Sequence, residues 1–188
     1  MEFYPASAPV PEEKRTNRLL LRPLRATDAE LDYEAVMSSA EQLRRWSQRG
    51  WPADDFTLAQ NLDGLHGHER EHHAREAFTF TVLNPHATRC LGCIYIMPLE
   101  GQAAQLCDGA AYAANVGFWI RTSELATDLD RHLLATLREW FQTAWAFECI
   151  VYTISQQEAR QAALLSEAGL RRRSAFTLAD GRSCWVFS

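Results

Sequence analysis

Two short apolar runs, residues 116–120 and 149–153, flank a segment in which Leu125, Leu129, Leu133, Leu137, Trp140, Phe141 and Ala144 recur at spacings of three and four. Those residues fall on one face of a helix. A helix of that length can carry the chain between parallel neighbours in one sheet. Residues 78–83 behave differently. They alternate at period two, reach a turn at Asn84-Pro85-His86-Ala87, and return as a second apolar run over 90–96. That is an antiparallel hairpin. A mixed sheet with helices on both faces meets both demands.

The remaining elements extend that sheet. Residues 18–24 form a strand stopped by Pro23. Thr27 or Asp28 can then cap a helix running to about residue 39. Residues 41–46 are helical, and Trp51-Pro52 breaks the pattern before a polar, histidine-rich helix over 58–75. A loop of small residues covers 101–110. A helix over 158–168 ends at Gly169, with Leu170 placed for the apolar contact of such a cap. Residues 175–187 form a terminal hairpin, giving about seven strands, mostly antiparallel. Residues 1–15 are expected as a flexible arm and 16–188 as one α/β domain.

Composition narrows the class. A chain of 188 residues, 47% hydrophobic, can bury a core without a disulfide or metal. A net charge of −5 speaks against nucleic acid or an anionic membrane as the main partner. No apolar run approaches the roughly 20 residues of a membrane span, and residues 1–14 lack the pattern of a secretory signal. Five cysteines without regular spacing read as reduced thiols in a cytoplasmic protein.

This element order resembles the GNAT superfamily of acyl-CoA N-acyltransferases. Thr16-Asn17-Arg18-Leu19-Leu20-Leu21-Arg22-Pro23-Leu24, continuing to Asp28-Ala29-Glu30, is similar to the opening of the branch that acetylates ribosomal-protein N-termini. Val116-Gly117-Phe118-Trp119-Ile120-Arg121 is similar to the family's fourth strand. Leu164-Leu165-Ser166-Glu167-Ala168-Gly169-Leu170 is similar to the end of its last helix. The resemblance covers about residues 16–188. It implies acetyl-CoA as cosubstrate, no metal, and direct attack on the thioester by an amine of a peptide N-terminus or small molecule. A homodimer stays open.

In such proteins a glycine-containing loop at a helix start holds the CoA diphosphate, because exposed N–H groups and the helix's positive end attract phosphate. The matching positions here are Leu125, Ala126, Thr127, Asp128, Leu129 and Asp130, following Ile120 and Arg121. Asp128 and Asp130 replace the two glycines, and Leu125 replaces the basic first residue. Thr127 and Asp130 are spaced as a capping box, which would set carboxylates in the field that phosphate uses. Arg121 or Arg131 could compensate. The alternative implied is a GNAT-like binding or assembly module without CoA.

Transfer needs a proton acceptor. Asn115 stands where many relatives carry glutamate, and Leu165 where some carry tyrosine. The asparagine common early in the last helix is replaced by Gln157 or Glu158. Glu100, just after a strand bordering the cleft, Ser166 and the histidines remain as candidates. Trp46 and Trp51 fall in the region that lines the acceptor pocket in similar proteins. His68-Glu69-Arg70-Glu71-His72 formally matches a zinc-helix motif but reads better as a solvated face. Cys90 and Cys93, on a strand, are expected to point to opposite faces. Arg171, Arg172 and Arg173 read as a solvated edge.

Overall fold

A computed structural model describes residues 2–99, 101–177 and 180–188, and for Gln102 the backbone alone. The strands are β1 (Lys14–Arg15), β2 (Leu20–Pro23), β3 (Phe78–Leu83), β4 (Cys90–Pro98), β5 (Ala113–Ile120), β6 (Cys149–Ser155), β7 (Arg172–Thr177) and β8 (Ser183–Phe187). The helices are α1 (Ala29–Met37), α2 (Ala40–Ser47), α3 (Leu58–Ala74), α4 (Gly101–Ala104), α5 (Leu129–Ala144) and α6 (Ala159–Glu167). The strands form one eight-stranded sheet in the order β1-β2-β3-β4-β5-β6-β8-β7. Only β5 and β6 run parallel among these neighbours, joined by α5 as the crossover. The short β1 is the strand beyond the seven expected.

Alternation along the strands divides the core. Phe78, Phe80, Ile94, Ile96, Val116 and Phe118 face α5, whose Leu133, Leu137 and Trp140 are buried against them. Cys93 and Trp119 face the other way, toward Val36 and Leu43 of α1 and α2 and Leu65 of α3. The mixed sheet with helices on both faces is thus the observed architecture.

Four local expectations change. The N-terminal stretch is not a loose arm: Tyr4 is fully buried, edge-on to Phe78 and Trp145 at 5.5 Å each. Its hydroxyl also accepts from the Ala146 amide at 3.0 Å. Aromatic burial outweighs the entropy of a proline-rich terminus. Nor are all thiols reduced. Cys107 and Cys149 form a disulfide, because the turn after α4 folds back on the start of β6 and brings their Cα atoms to 5.8 Å.

Cys90 and Cys93 lie on the same face, not opposite ones. Leu83 pairs with Cys90 but Val82 with Gly92, so one extra residue bulges β4 and resets the alternation. Finally, α5 begins at Leu129 rather than near residue 125. A 3-10 turn, Thr122–Thr127, precedes it, and Asp128 separates the two in the left-handed region at φ 55°.

Candidate active site

The β5–β6 ladder is short. It pairs Ala113 with Cys149, Ala114 with Ile150 and Asn115 with Val151, then stops. At that point the Asn115 side chain accepts from the Thr153 amide at 3.0 Å, bridging the strands where they part. Beyond it, the Phe118 carbonyl accepts from the Gln161 side chain of α6 at 2.8 Å. Side chains therefore replace ladder bonds along the outer half of β5. A groove of about 250 Å³ remains between β5, the loop before α5, and α6, lined by Phe118, Ile120, Leu125, Asp130, Glu158 and Gln161. The Gln161 Oε1 is buried there without a partner, and an orphaned acceptor of that kind is costly unless a donor arrives. Burial pushes the Glu158 carboxyl up, opposed by Arg45.

The loop at the start of α5 departs from its expected geometry. The Thr127–Asp130 capping box does not form: the Thr127 hydroxyl donates to the Glu124 carbonyl at 2.7 Å instead. The left-handed Asp128 turns Thr127 away from the first turn of α5. Asp130, 6% exposed, is held by Arg160 at 2.7 Å. Ala126, Thr127 and Asp128 are exposed at the rim, and Leu129 turns into the core. Arg121 cannot serve phosphate there. Its guanidinium is buried and forked on Glu34 across the sheet, 2.6 Å from Oε2, with Ser38 at 2.7 Å. Arg131 pairs with Glu167.

On the far side of Trp46 lie two further cavities, of about 360 and 560 Å³. Trp46 borders all three spaces. It lies over β5 at Gly117, where an added Cβ would stand 3.5 Å from Trp46 Cζ2, in ordinary van der Waals contact. Trp51 lines the 360 Å³ cavity, edge-on to Phe56. The structure thus brings Trp46, Trp51, Ile120, Leu125 and Asp130 around recesses that share Trp46 as a wall.

It also adds residues that sequence reasoning passed over, Asp32, Asn61 and Tyr95, and brings His68, one of the candidate histidines, to the same place. Asp32 had a readable signal, since it shares helical spacing with the buried Ala29, Ala35 and Val36. His68 borders both cavities, its Nδ1 3.1 Å from Glu71 Oε2 and 3.3 Å from Thr79 Oγ1.

Other candidates fall elsewhere. Ser166 is exposed on α6, where its hydroxyl donates to the Ala162 carbonyl at 2.9 Å, away from all three recesses. Helical spacing set it on the solvent side, opposite the buried Leu164 and Leu165. Glu100 lies outside the described residues. The polar helix is not wholly a solvated face: His72 packs edge-on against Phe78 and Phe80, and burial lowers its pKa to about 4. Among the described residues, no group of three or more His, Cys, Asp or Glu side chains could hold a metal. Burial pushes Cys90 up to about 12 and raises Cys93 well above the usual thiol range, so neither is a ready thiolate. Arg171, Arg172 and Arg173 are exposed at the sheet edge. No described helix is long and apolar enough to cross a membrane.

A parted β5–β6 pair beside a helix start coincides with a match to the model of the acetyltransferase (GNAT) domain over residues 18–171. The chain belongs to the GNAT acetyltransferase family. Its fold is similar to RimL, the ribosomal L7/L12 alpha-N-protein acetyltransferase, solved in complex with coenzyme A: TM-score 0.74, 13% identity, covering 94% of this chain and 96% of that one. The ribosomal-protein-S5-alanine acetyltransferase from Vibrio fischeri superposes at 0.72 with 14% identity, covering 94% and 95%. The microcin C7 self-immunity acetyltransferase MccE, solved with acetyl-CoA and AMP, does so at 0.73 with 10% identity, covering 92% of each chain. Comparison with curated proteins gives no match. At these identities the solved structures speak to GNAT fold alone.

Proposed function

We propose that this GNAT domain is an acyl-CoA-dependent N-acyltransferase whose acceptor is an amine of a peptide N-terminus or a small molecule. One observation carries the reading: β5 parts from β6 after Asn115 and on that side faces a groove that holds an unpaired Gln161 Oε1. An amide-bearing pantetheine arm suits that groove, since its N–H groups can donate to such an acceptor. The three solved relatives are named as acetyltransferases, two of them bound to CoA species.

An acyl-CoA supplies an activated acyl carbon, which the amine nitrogen attacks directly. The C–N bond forms, the C–S bond breaks, and the thiol leaves with a proton. Phe118, Ile120 and Leu125 would flank the arm, and Trp46 would separate it from the acceptor. His68, oriented through Nδ1 by Glu71 and Thr79, is the assigned proton acceptor. Glu100, just after β4, is the sequence-based alternative.

The diphosphate end fits less well, and this favours a second reading as a non-catalytic binding module. Asp128 and Asp130 stand where phosphate would approach, with one of them already neutralised by Arg160. Calorimetric titration with acetyl-CoA and longer acyl-CoAs decides between the two. Heat that saturates supports the transferase. No heat at millimolar ligand removes it and leaves the module. In that case Asp128→Gly with Asp130→Gly should gain CoA binding.

A further inference from the structure

We propose that the 360 Å³ cavity on the far side of Trp46 is a cation-recognition site that takes the ammonium group of a compact arylalkyl- or alkylamine, with Asp32 as counter-ion and Trp46, Trp51, Phe56 and Tyr95 as its walls. This deepens the N-acyltransferase reading, whose acceptor is an amine.

Asp32 is a buried carboxyl group, 5% exposed, that lines the cavity without a cationic partner among the described ion pairs. Among the described residues its side-chain hydrogen bond comes from Asn61 Nδ2, 3.0 Å from Oδ2. Buried carboxylates are normally paired or neutralised. The nearby arginines are already engaged: Arg22 holds Asp28 at 2.6 Å, and Arg49 and Arg182 at the cavity mouth share Asp180 at 3.1 and 2.9 Å. A cation that enters from outside would therefore find Asp32 free to pair.

The walls suit an organic cation over a metal ion. Among the described residues no group of three or more His, Cys, Asp or Glu side chains could hold a metal here, whereas four aromatic rings line the cavity beside the single carboxylate, and aromatic faces attract ammonium groups. Trp46 and Tyr95 lie 5.6 Å apart, and Trp51 and Phe56 6.1 Å apart. A volume of 360 Å³ corresponds to about a dozen liquid-water volumes. That admits a compact amine and not a folded partner.

Asp32 titrates within a defined set of neighbours. His68 and Asn61 face it from α3, Asp28 from the turn before α1, and Cys90, Cys93 and Tyr95 from β4. Burial pushes its carboxyl up to about 6 against the Asn61 hydrogen bond and the His68 charge. Amine binding therefore weakens as pH falls through about 6.

The test uses the full chain without acyl-CoA. 2-Phenylethylammonium chloride and its neutral counterpart 2-phenylethanol are titrated at about pH 7.5, followed by calorimetry and tryptophan fluorescence. The ammonium is expected to bind at least ~10-fold more tightly than the alcohol, about 1.4 kcal/mol. Asp32→Asn should reduce the ammonium to the alcohol's affinity, and Trp51→Ala should weaken both. Equal affinity for the two ligands overturns the inference, as does unchanged ammonium binding by a folded Asp32→Asn. Binding of neither at millimolar concentration does the same. Should Asp32→Asn fail to fold, the comparison on the native chain still decides. Because acyl-CoA is absent, failure here leaves the transfer reading standing, and failure of acyl-CoA titration leaves this one standing.

Discussion

Arg160 lays its guanidinium across Asp130, with Nε 2.7 Å from Oδ2 and Nη2 3.1 Å from Oδ1, and the same Nη2 reaches the Leu125 carbonyl at 2.6 Å. One side chain of α6 thus ties together the loop and the first turn of α5, at the groove where a diphosphate would enter. The carboxylate is almost buried while the guanidinium is about half exposed. Solvent screens the pair, so it contributes less than a fully buried one.

That asymmetry predicts unequal single variants. Arg160→Ala leaves Asp130 buried without a counter-ion and should cost about 1–2 kcal/mol. Asp130→Asn should cost less, since an exposed guanidinium is hydrated again. Urea midpoints of the two variants and their double form a cycle with a coupling of about 1 kcal/mol. A coupling near zero would show that the contact is a surface pair without consequence.

Asp32 carries a stability cost that follows from its site. In the unfolded chain it ionises near 3.8, in the fold near 6. Between those values the folded state binds the extra proton, so stability falls as pH rises from about 4 to about 6 and stays at the lower level above. The shift corresponds to up to about 3 kcal/mol. Asp32→Asn keeps the shape and the acceptor for Asn61 without the charge. It should raise stability at about pH 7.5 by about 1–3 kcal/mol and leave it unchanged near pH 4. Chemical denaturation at both pH values checks this, and destabilisation at the higher one would contradict it.

Gly92 sits within the β4 bulge, where an added Cβ would stand 2.0 Å from the Trp119 carbonyl oxygen and 3.0 Å from its carbon. Backbone of the neighbouring strand cannot give way as a flexible side chain could. Gly92→Ala should destabilise by about 3 kcal/mol or more, read as a lowered urea midpoint. Gly64→Ala is the control, since a Cβ at that helical position meets nothing within 4 Å. It should be neutral or slightly stabilising.

The sheet was legible because its signals are local. Phe78, Phe80 and Val82 alternate, and Leu133, Leu137 and Trp140 repeat at helical spacing, whatever the rest of the chain does. The site depends on separations that no local pattern encodes. Asp32 and Asn61 meet across 29 positions, Gln161 and Phe118 across 43. The bulge that turned Cys90 to the face of Cys93 left no mark in composition. Tyr4 was hidden for a related reason, since a proline-rich stretch reads as loose until the aromatic pocket that receives it is assembled. At the α5 loop the residue substitutions were legible, but not the arginine from α6 that answers Asp130.

His72 should set the acid limit of this fold. Its ring packs on Phe78 and Phe80, its Nδ1 is buried without a partner, and burial together with the neighbouring His73 lowers its pKa to about 4. The unfolded chain takes up that proton near 6.5. Stability is therefore intact above about 6.5 and lost as pH falls toward 4, opposite in sign to Asp32 over their shared window. The full shift is about 3 kcal/mol, and partial exposure reduces it to roughly 2. His72→Phe removes both the titration and the orphaned nitrogen while keeping a flat ring on the same aromatic neighbours. The variant's advantage over the native chain should widen from pH 7.5 to pH 5 by about 1–2 kcal/mol, measured by urea unfolding at each pH. A constant difference would mean that His72 is protonated in the fold as readily as in water.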